Sequence, residues 1–135
     1  MKTKHWPTRW FIGLLGLLLS TLLYADDATL IRLYRQGAEG VQVQGQGEVI
    51  RLLADDLKGR RHQRFILALS SGQTLLVAHN IDLAPSIDHL AIGDKVSFYG
   101  EYTWNRRGGI IHWTHHDPDG RHPDGWLEHD GKRYQ

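Results

Sequence analysis

Histidine and acidic residues concentrate near the C-terminus of this 135-residue chain. Five of its nine histidines lie between positions 112 and 129, and five acidic residues alternate with them: Asp117, Asp119, Asp124, Glu128 and Asp130. Imidazole and carboxylate groups together bind zinc or copper, and they also act as acids and bases near neutral pH. The cluster predicts a metal site whose candidate ligands are His115, His116, Asp117, His122 and His129.

The spacing of these histidines limits how they can share one ion. On a straight strand His112 and His116 stand about 13 Å apart, and His115 and His116 point to opposite faces. A metal site therefore requires His122 or His129 to be brought back by the turns that follow residue 117. The alternative is a hydrogen-bonded polar tail that binds no metal.

A second candidate site combines basic side chains with an aromatic one. Residues 55–64, DDLKGRRHQR, place four basic residues and a histidine on a predicted hairpin, and a later predicted hairpin at 105–109 contains Arg106. We expect both hairpins to frame one face, where guanidinium groups bind anions and aromatic rings stack on flat ligands. The predicted ligand-binding residues are Arg60, Arg61, His62, Arg64, Arg106 and Trp113.

Other residues that could carry chemistry are better explained by packing. His79 is in phase with Leu75 and Val77, which predicts a buried, hydrogen-bonded histidine. Tyr102 and Trp104 are in phase with apolar neighbours and are expected in the core. The serines lack the context of a nucleophile elbow, and the chain contains no His-Glu-x-x-His motif. The sequence leaves enzymatic activity open and favours a role other than catalysis.

The elements that must position these residues alternate with a period of two from residue 41 onward. Strands are predicted over 41–53, 62–69, 74–81, 95–104 and 110–115, with a single helical turn over 85–90. Five strands, with glycines where the first must bend, match the oligonucleotide/oligosaccharide-binding (OB) barrel. A small open β-sandwich is the alternative. Before the strands, Leu30, Ile31 and Tyr34 share one face of a short helix.

The first 25 residues match a secretory signal. Lys2, Lys4 and Arg9 precede an uncharged, largely apolar segment from Trp10 to Tyr24, and the small residue Ala25 suits the position before a cleavage site. A segment of about 15 residues is short for a membrane span of roughly 20. We expect export to the periplasm or the extracellular space, with an uncleaved anchor as the alternative.

Composition narrows the possible partners. The chain has 16 basic and 15 acidic residues, a net charge of +1, but cleavage after Ala25 removes three basic residues and leaves a net charge of −2. A nucleic-acid partner is therefore not favoured by net charge, and the membrane is a partner only through the signal segment before cleavage. The lack of cysteine excludes disulfides and thiolate metal sites, and the oligomeric state stays open.

Several segments of the chain closely resemble the bacterial domain of unknown function 3465 family. They are GRRHQRFILAL, GQTLLVAHNIDLAP, GDKVSFYGEYTWN and GGIIHWTHHDPDGRHPDGWLEHDGKRYQ. The resemblance covers nearly all of residues 41–135 and implies a small exported protein, with no functional residues to carry over. A fainter likeness, through His129 and Tyr134, is to the periplasmic haem chaperone of cytochrome c maturation. One additional residue separates that pair here.

These observations predict an all-β protein. It comprises a signal peptide at 1–25, a helical lead-in at 26–40, a five-stranded OB-like barrel at 41–116 and an irregular tail at 117–135 packed on the barrel. The expected function is an exported binding module whose ligand, oligomeric or small and anionic, lies on the face framed by the first and last hairpins. The alternatives are a metal-binding protein or metal-dependent hydrolase using zinc or copper, and a structural envelope protein.

Overall fold

A computed structural model of the protein describes residues 2–3 and 27–135. Helix α1 covers residues 27–36 of the described part. The strands are β1 (Glu39–Leu52), β2 (His62–Ala68), β3 (Thr74–Asn80), β4 (Lys95–Thr103), β5 (Ile110–His112), β6 (Trp126–His129) and β7 (Lys132–Tyr134). Apart from residues 2–3, the predicted signal segment lies outside the described residues. Within the described ranges, no helix is long and apolar enough to cross a membrane.

Five of the strands close into a barrel. Their order around the barrel is β1-β2-β3-β5-β4, and β4 pairs back onto β1. The pairing of β3 with β5 is parallel, and the other four barrel pairings are antiparallel. Closure removes the free sheet edges that an open sandwich would leave. The predicted fold, a small five-stranded OB-like barrel with a short N-terminal helix, is confirmed.

Strand β1 closes the barrel because it pairs with two neighbours. Its residues Glu39–Glu48 pair with β4, and its residues Glu48–Leu52 pair with β2. Glycines permit the bend between the two parts: a Cβ added at Gly45 would lie 2.7 Å from the Phe98 ring, and one at Gly47 would lie 2.9 Å from the Ala68 carbonyl oxygen. The glycines predicted to bend the first strand therefore lie where the chain turns around the core.

The inward side chains of the strands form the core, as the period of two predicts. Alternate residues of β2, β3 and β4 are buried, while their neighbours face outward. The largest fully buried apolar side chains are Tyr102, Phe65, Phe98, Leu30, Leu67, Leu75, Ile111 and Leu127. Burial of Tyr102 confirms its expected place in the core, and its hydroxyl donates to the Gly108 carbonyl oxygen at 2.9 Å.

Helix α1 covers one end of the barrel with a face different from the predicted one. Leu30 and Leu33 are buried, whereas Tyr34 is 37% exposed. The helix ends at Gly37, whose φ of +61° is the left-handed conformation that glycine adopts without strain. Tyr34 instead stacks on Trp104, with ring centroids 6.3 Å apart, so Trp104 lies outside the core, 39% exposed.

The predicted helical turn over 85–90 is wrong. The segment contains turns but no helix. The side-chain amide of Gln63 forms two hydrogen bonds with the backbone of Ile87. Its oxygen accepts from the Ile87 N–H at 2.8 Å, and its nitrogen donates to the Ile87 carbonyl oxygen at 3.1 Å. Since these groups already have partners, the segment gains nothing from helical hydrogen bonds.

The tail is irregular through residue 125 and then forms a hairpin that the sequence analysis did not predict. Strand β6 pairs with β4 beyond the end of β5, and β7 pairs with β6. Asp130 and Gly131, with φ of +50° and +76°, connect them, as expected for a two-residue hairpin turn. Leu127 and Tyr134 are buried, so this hairpin extends the barrel core.

The two hairpins expected to frame one face lie at opposite ends of the barrel. The β1–β2 hairpin contacts the chain beyond the end of β3, where the Ile81 N–H donates to the Arg61 carbonyl oxygen at 2.9 Å. The β4–β5 hairpin contacts the start of β3, where Thr74 Oγ1 donates to the Arg107 carbonyl oxygen at 2.7 Å. The topology therefore separates Arg106 from the other predicted ligand-binding residues.

Candidate functional site

A cleft of about 520 Å³ lies at the barrel end that carries the β1–β2 hairpin. Its walls come from that hairpin, from the ends of β3 and β5, and from the first part of the tail. Six of the lining residues have basic, polar or aromatic side chains: Arg60, His62, Asn80, His112, Trp113 and His115. Asp117 and Asp119 of the tail contribute acidic groups.

Trp113 turns the chain at the end of β5. Its φ is +54°, in the left-handed region that bulky residues rarely adopt. Strand β5 therefore ends at His112, three residues earlier than predicted. The next two residues, Thr114 and His115, are both buried. The turn at Trp113 thus brings His115 from the barrel into the wall of the cleft.

His115 presents one defined ring nitrogen to a ligand. Its Nδ1 lies 2.6 Å from the His116 carbonyl oxygen, which can only accept. Nδ1 therefore carries the proton of the neutral ring, and Nε2 is left with a lone pair. Nε2 has no partner among the residues that the structure describes. The Gly125 N–H donates to the His115 carbonyl oxygen at 2.9 Å and fixes the backbone at this point.

His79 lies fully buried behind this wall and has both ring nitrogens satisfied. Its Nε2 is 2.9 Å from the Pro85 carbonyl oxygen, and its Nδ1 is 2.7 Å from Thr114 Oγ1. The carbonyl can only accept, so Nε2 donates and Nδ1 accepts from the hydroxyl. Burial lowers the pKa of His79 to about 4. The predicted buried, hydrogen-bonded histidine is confirmed, and it holds the chain after β5 against the β3–β4 connection.

His122 attaches the tail to the barrel. Its Nε2 is hydrogen-bonded to the Glu101 carboxylate, and its Nδ1 lies 2.9 Å from the Pro123 carbonyl oxygen. Its ring stacks on Trp113, with centroids 3.9 Å apart and planes inclined by 13°. Burial alone would lower the pKa of His122, but these two acceptors raise it above its ordinary value. The ring therefore lies between a carboxylate and an indole, in surroundings that favour its protonated form.

His112 lies on the side of the cleft next to His122. Its Nε2 is 3.1 Å from Thr103 Oγ1 and 3.8 Å from Glu101 Oε1. Burial lowers the pKa of His112, although the Glu101 carboxylate opposes that effect. Because His122 covers part of the indole, Trp113 offers the cleft less stacking surface than a free aromatic platform would.

The basic hairpin supplies one free guanidinium to the cleft. Arg60 lines the cleft, and its side chain makes no hydrogen bond or close ion pair among the described residues, although its charge helps to lower the pKa of Asp82. Arg61 instead pairs with Asp82 at 2.8 Å, and Arg64 donates to the Ala54 carbonyl oxygen at 3.0 Å. Of the six predicted ligand-binding residues, the structure therefore brings together Arg60, His62 and Trp113.

On the acidic side of the cleft, the Asp117 carboxylate is largely occupied by backbone N–H groups of the tail. Asp117 Oδ1 accepts from the Asp119 N–H at 3.0 Å, and Oδ2 accepts from the Arg121 and His122 N–H groups at 2.9 and 2.8 Å. These backbone hydrogen bonds lower the pKa of Asp117. The carboxylate therefore organises the turn at 117–122, which leaves it little capacity for a ligand.

The five predicted metal ligands are not gathered around one point. His115 and Asp117 line the cleft, but His122 is held by Glu101 and His116 lies 3.2 Å from Asp124. Across residues 2–3 and 27–135, no group of three or more His, Asp or Glu side chains is arranged to hold a metal ion.

His129 lies apart from the cleft, at the end of β6. It is buried, and its Nε2 is hydrogen-bonded to Asp94 at 2.8 Å. Tyr134, the other residue of the faint haem-chaperone likeness, packs in the core. Both residues therefore serve to hold the C-terminal hairpin on the barrel.

Comparison with protein families gives one match that spans nearly the whole chain. Residues 12–135 match a family described as a protein of unknown function (DUF3465). The chain belongs to this family. The matched range includes the barrel, the cleft and the C-terminal hairpin, so the family membership that the sequence motifs implied is confirmed. A search of the curated proteins finds no match.

Two contributors to the site of this DUF3465 protein were missed from the sequence. Glu101 faces outward from β4, where it pairs in register with His112 of β5. Asn80 ends β3, and its side-chain oxygen caps the following turn by accepting from the Asp82 N–H at 2.9 Å. The alternation of β4 marks Glu101 as outward-facing, but its pairing with His122 depends on the path of the tail.

Proposed function

We propose that this protein is an exported OB-type binding module whose cleft holds a small polar ligand through an anionic group. The observation that carries the proposal is the collection, in one cleft, of the Arg60 guanidinium, which no side chain binds directly, with the imidazoles of His62, His112 and His115. Guanidinium and imidazolium groups are the usual protein partners of carboxylate and phosphate. Apolar lining from Ala78, Leu83 and Pro118 suits the uncharged part of the ligand.

The cleft is held in shape before a ligand arrives. The backbone next to Arg60 is fixed because the Arg61 N–H donates to Asp82 at 2.8 Å. On the opposite side, the ring of His115 is oriented by its bond to the His116 carbonyl oxygen. Binding to such a site avoids the entropic cost of ordering loops, which otherwise weakens affinity. This order supports a specific cleft over a general basic surface.

The arrangement favours binding over catalysis. The closest acid–base pair, His122 and Glu101, is engaged internally, and both ring nitrogens of His122 already have acceptors. A general acid or base needs a nitrogen within hydrogen-bond reach of the reacting group. His115 Nε2 is available for a ligand, but its ring is oriented by a backbone carbonyl rather than by an activating carboxylate.

Anion binding at this cleft should depend on Arg60. Two acidic side chains, Asp117 and Asp119, line the same cleft, so the guanidinium is the positive charge that an anionic group of a ligand must reach.

Sulfate is a suitable probe because its own charge does not change between pH 5.5 and 7.5. We expect calorimetric titration at pH 5.5 to show saturable sulfate binding, because the cleft offers a guanidinium that no side chain binds directly. Arg60→Gln should weaken binding at pH 5.5 by about tenfold. Arg51→Gln removes an exposed arginine outside the cleft and should change the affinity less than about twofold.

An affinity that Arg60→Gln leaves unchanged would contradict the assignment of the ligand to this cleft. Equal losses in the two variants would show a nonspecific effect of net charge.

We further propose that residues 1–25 direct export and are removed. The basic start, the apolar segment from Trp10 to Tyr24 and the small residue Ala25 support this. N-terminal sequencing and intact mass of the protein from fractionated cells should show a chain that begins at Asp26 outside the cytoplasm. A full-length chain in the membrane fraction would instead support the uncleaved anchor.

A further inference from the structure

A second groove, of about 530 Å³, lies at the opposite end of the barrel from the cleft. It is bounded by α1, the β2–β3 turn and the β4–β5 hairpin. Three arginines line it: Arg35 of the helix, with Arg106 and Arg107 of the hairpin. Tyr34, Gln73 and Thr74 are among the other lining residues, and the lining described by the structure contains no Asp or Glu.

The three guanidinium groups are unengaged. None of them has a side-chain hydrogen bond or ion pair among the described residues. This contrasts with Arg61, which pairs with Asp82, and with Arg133, which pairs with Glu128. Three unneutralised cations around one concave surface repel one another, and a bound anion relieves that repulsion.

The backbone that carries the hairpin arginines is rigidly attached. Tyr34 Oη donates to the Arg106 carbonyl oxygen at 3.2 Å, and Thr74 Oγ1 donates to the Arg107 carbonyl oxygen at 2.7 Å. Asn105 Oδ1 accepts from the Arg107 and Gly109 N–H groups, both at 2.9 Å. The groove is therefore a shaped feature of the fold in which only the guanidinium ends remain to be ordered.

Gln73 adds a polar group beneath this rim. Its Nε2 donates to the Leu30 and Gly108 carbonyl oxygens at 3.1 and 2.9 Å, which fixes the orientation of the amide. Its Oε1 is buried and has no partner among the described residues. A buried acceptor of this kind is normally satisfied, and a ligand hydroxyl or an ordered water would serve as its donor.

We propose that this groove is a second anion site that takes closely spaced phosphate groups. Arginine binds phosphate through two parallel hydrogen bonds, and three arginines match several linked phosphates better than they match a single monovalent ion. Tyr34, which lines the groove, stacks on Trp104, and the two residues are 37% and 39% exposed. An exposed aromatic pair gives a flat group attached to the phosphates a surface for stacking.

The site is independent of the cleft proposed above. The hairpin that carries Arg107 contacts the start of β3. The cleft lies at the other end of β3, beside Asn80. Seven residues of extended strand span about 20 Å, so one small ligand cannot reach both sites.

The test uses two probes on the full mature chain at pH 7.5: inorganic triphosphate and adenosine triphosphate, each without divalent cations. We expect calorimetry to show binding of both, and we expect the combined substitutions Arg35→Gln, Arg106→Gln and Arg107→Gln to weaken it by at least about tenfold. Arg51→Gln is the control, removing one exposed arginine outside both sites, and should change the affinity less than about twofold.

A third variant distinguishes the two sources of phosphate. If adenosine triphosphate binds more tightly and Trp104→Ala removes only that excess, the ligand is nucleotide-like. If both probes bind equally and Trp104→Ala has no effect, the site accepts phosphate chains alone. The proposal is overturned if neither probe binds below about 1 mM, if the triple variant binds as the natural chain does, or if Arg60→Gln abolishes binding.

Discussion

Replacing Gly125 by alanine is expected to lower the free energy of unfolding by about 3 kcal/mol or more. A Cβ at this position would lie 1.9 Å from the Trp113 carbonyl oxygen and 2.6 Å from the Tyr99 carbonyl oxygen. Both are backbone atoms, so no flexible side chain can move to relieve the overlap. The tail would have to separate from the barrel, and the Gly125–His115 hydrogen bond that supports the cleft wall would be lost.

Gly120→Ala is the matched control in the same tail. Gly120 has a φ of +65°, but a Cβ there would meet no atom within 4 Å. Its substitution costs only the left-handed backbone conformation, about 1 kcal/mol. Urea unfolding at pH 7, followed by tryptophan fluorescence, gives both values. Equal losses in the two variants would mean that the tail does not pass over β4 and β5 as described.

The second large effect is a loss of folding stability at acidic pH that is caused by the protonation of His79. The pKa of His79 is about 4 in the fold, against 6.5 for an unperturbed histidine, because burial disfavours the charged ring. The unfolded chain therefore binds a proton at higher pH than the native one does. The resulting stabilisation of the fold is fully present above pH 6.5. It is lost as the pH falls to 4, which lowers the free energy of unfolding by about 3 kcal/mol.

His79→Gln isolates this contribution, because glutamine keeps a donor and an acceptor without titrating. We expect the natural protein to lose about 3 kcal/mol more stability than the variant between pH 7 and 4, as measured by urea unfolding at several pH values. His122 acts with the opposite sign: its raised pKa stabilises the fold below pH 6.5, and this is lost as the pH rises. Parallel pH profiles for the two proteins would show that His79 is not buried in its neutral form.

The sequence was sufficient for the barrel because its signals are local. The period of two along residues 74–80 correctly placed Leu75, Val77 and His79 on the inner face. Asp130 and Gly131 likewise mark the C-terminal hairpin turn by their backbone preferences alone. The hairpin itself was not predicted, because a three-residue strand such as β7 is too short to show a period.

The site could be predicted only in part because it depends on distant contacts. Arg60 and His62 were recognised by residue type, and the barrel end that they occupy follows from the topology. Trp113, however, adopts a positive φ that no local signal for such a residue indicates. That turn brings His115 into the wall of the cleft, and the return of the tail pairs His122 with Glu101, 21 positions away.

The histidine cluster shows most clearly how closeness in sequence differs from closeness in space. Between positions 112 and 129 it looks like one ligand set, yet the five rings are not gathered around one point. His112 contacts Thr103, His116 contacts Asp124, and His129 contacts Asp94. The strand geometry used to exclude the simplest metal site assumed a strand through residue 115, whereas β5 ends at His112.

The most direct test of the proposed cleft is a sulfate titration of isotope-labelled mature protein, followed residue by residue by NMR at pH 5.5. The account predicts saturable shifts in the Arg60 amide, the Asn80 side-chain amide and the Trp113 indole N–H, with the Asn80 and Trp113 signals nearly unmoved in Arg60→Gln. Shifts confined to the groove of Arg106 and Arg107, or none in these three groups, would contradict it.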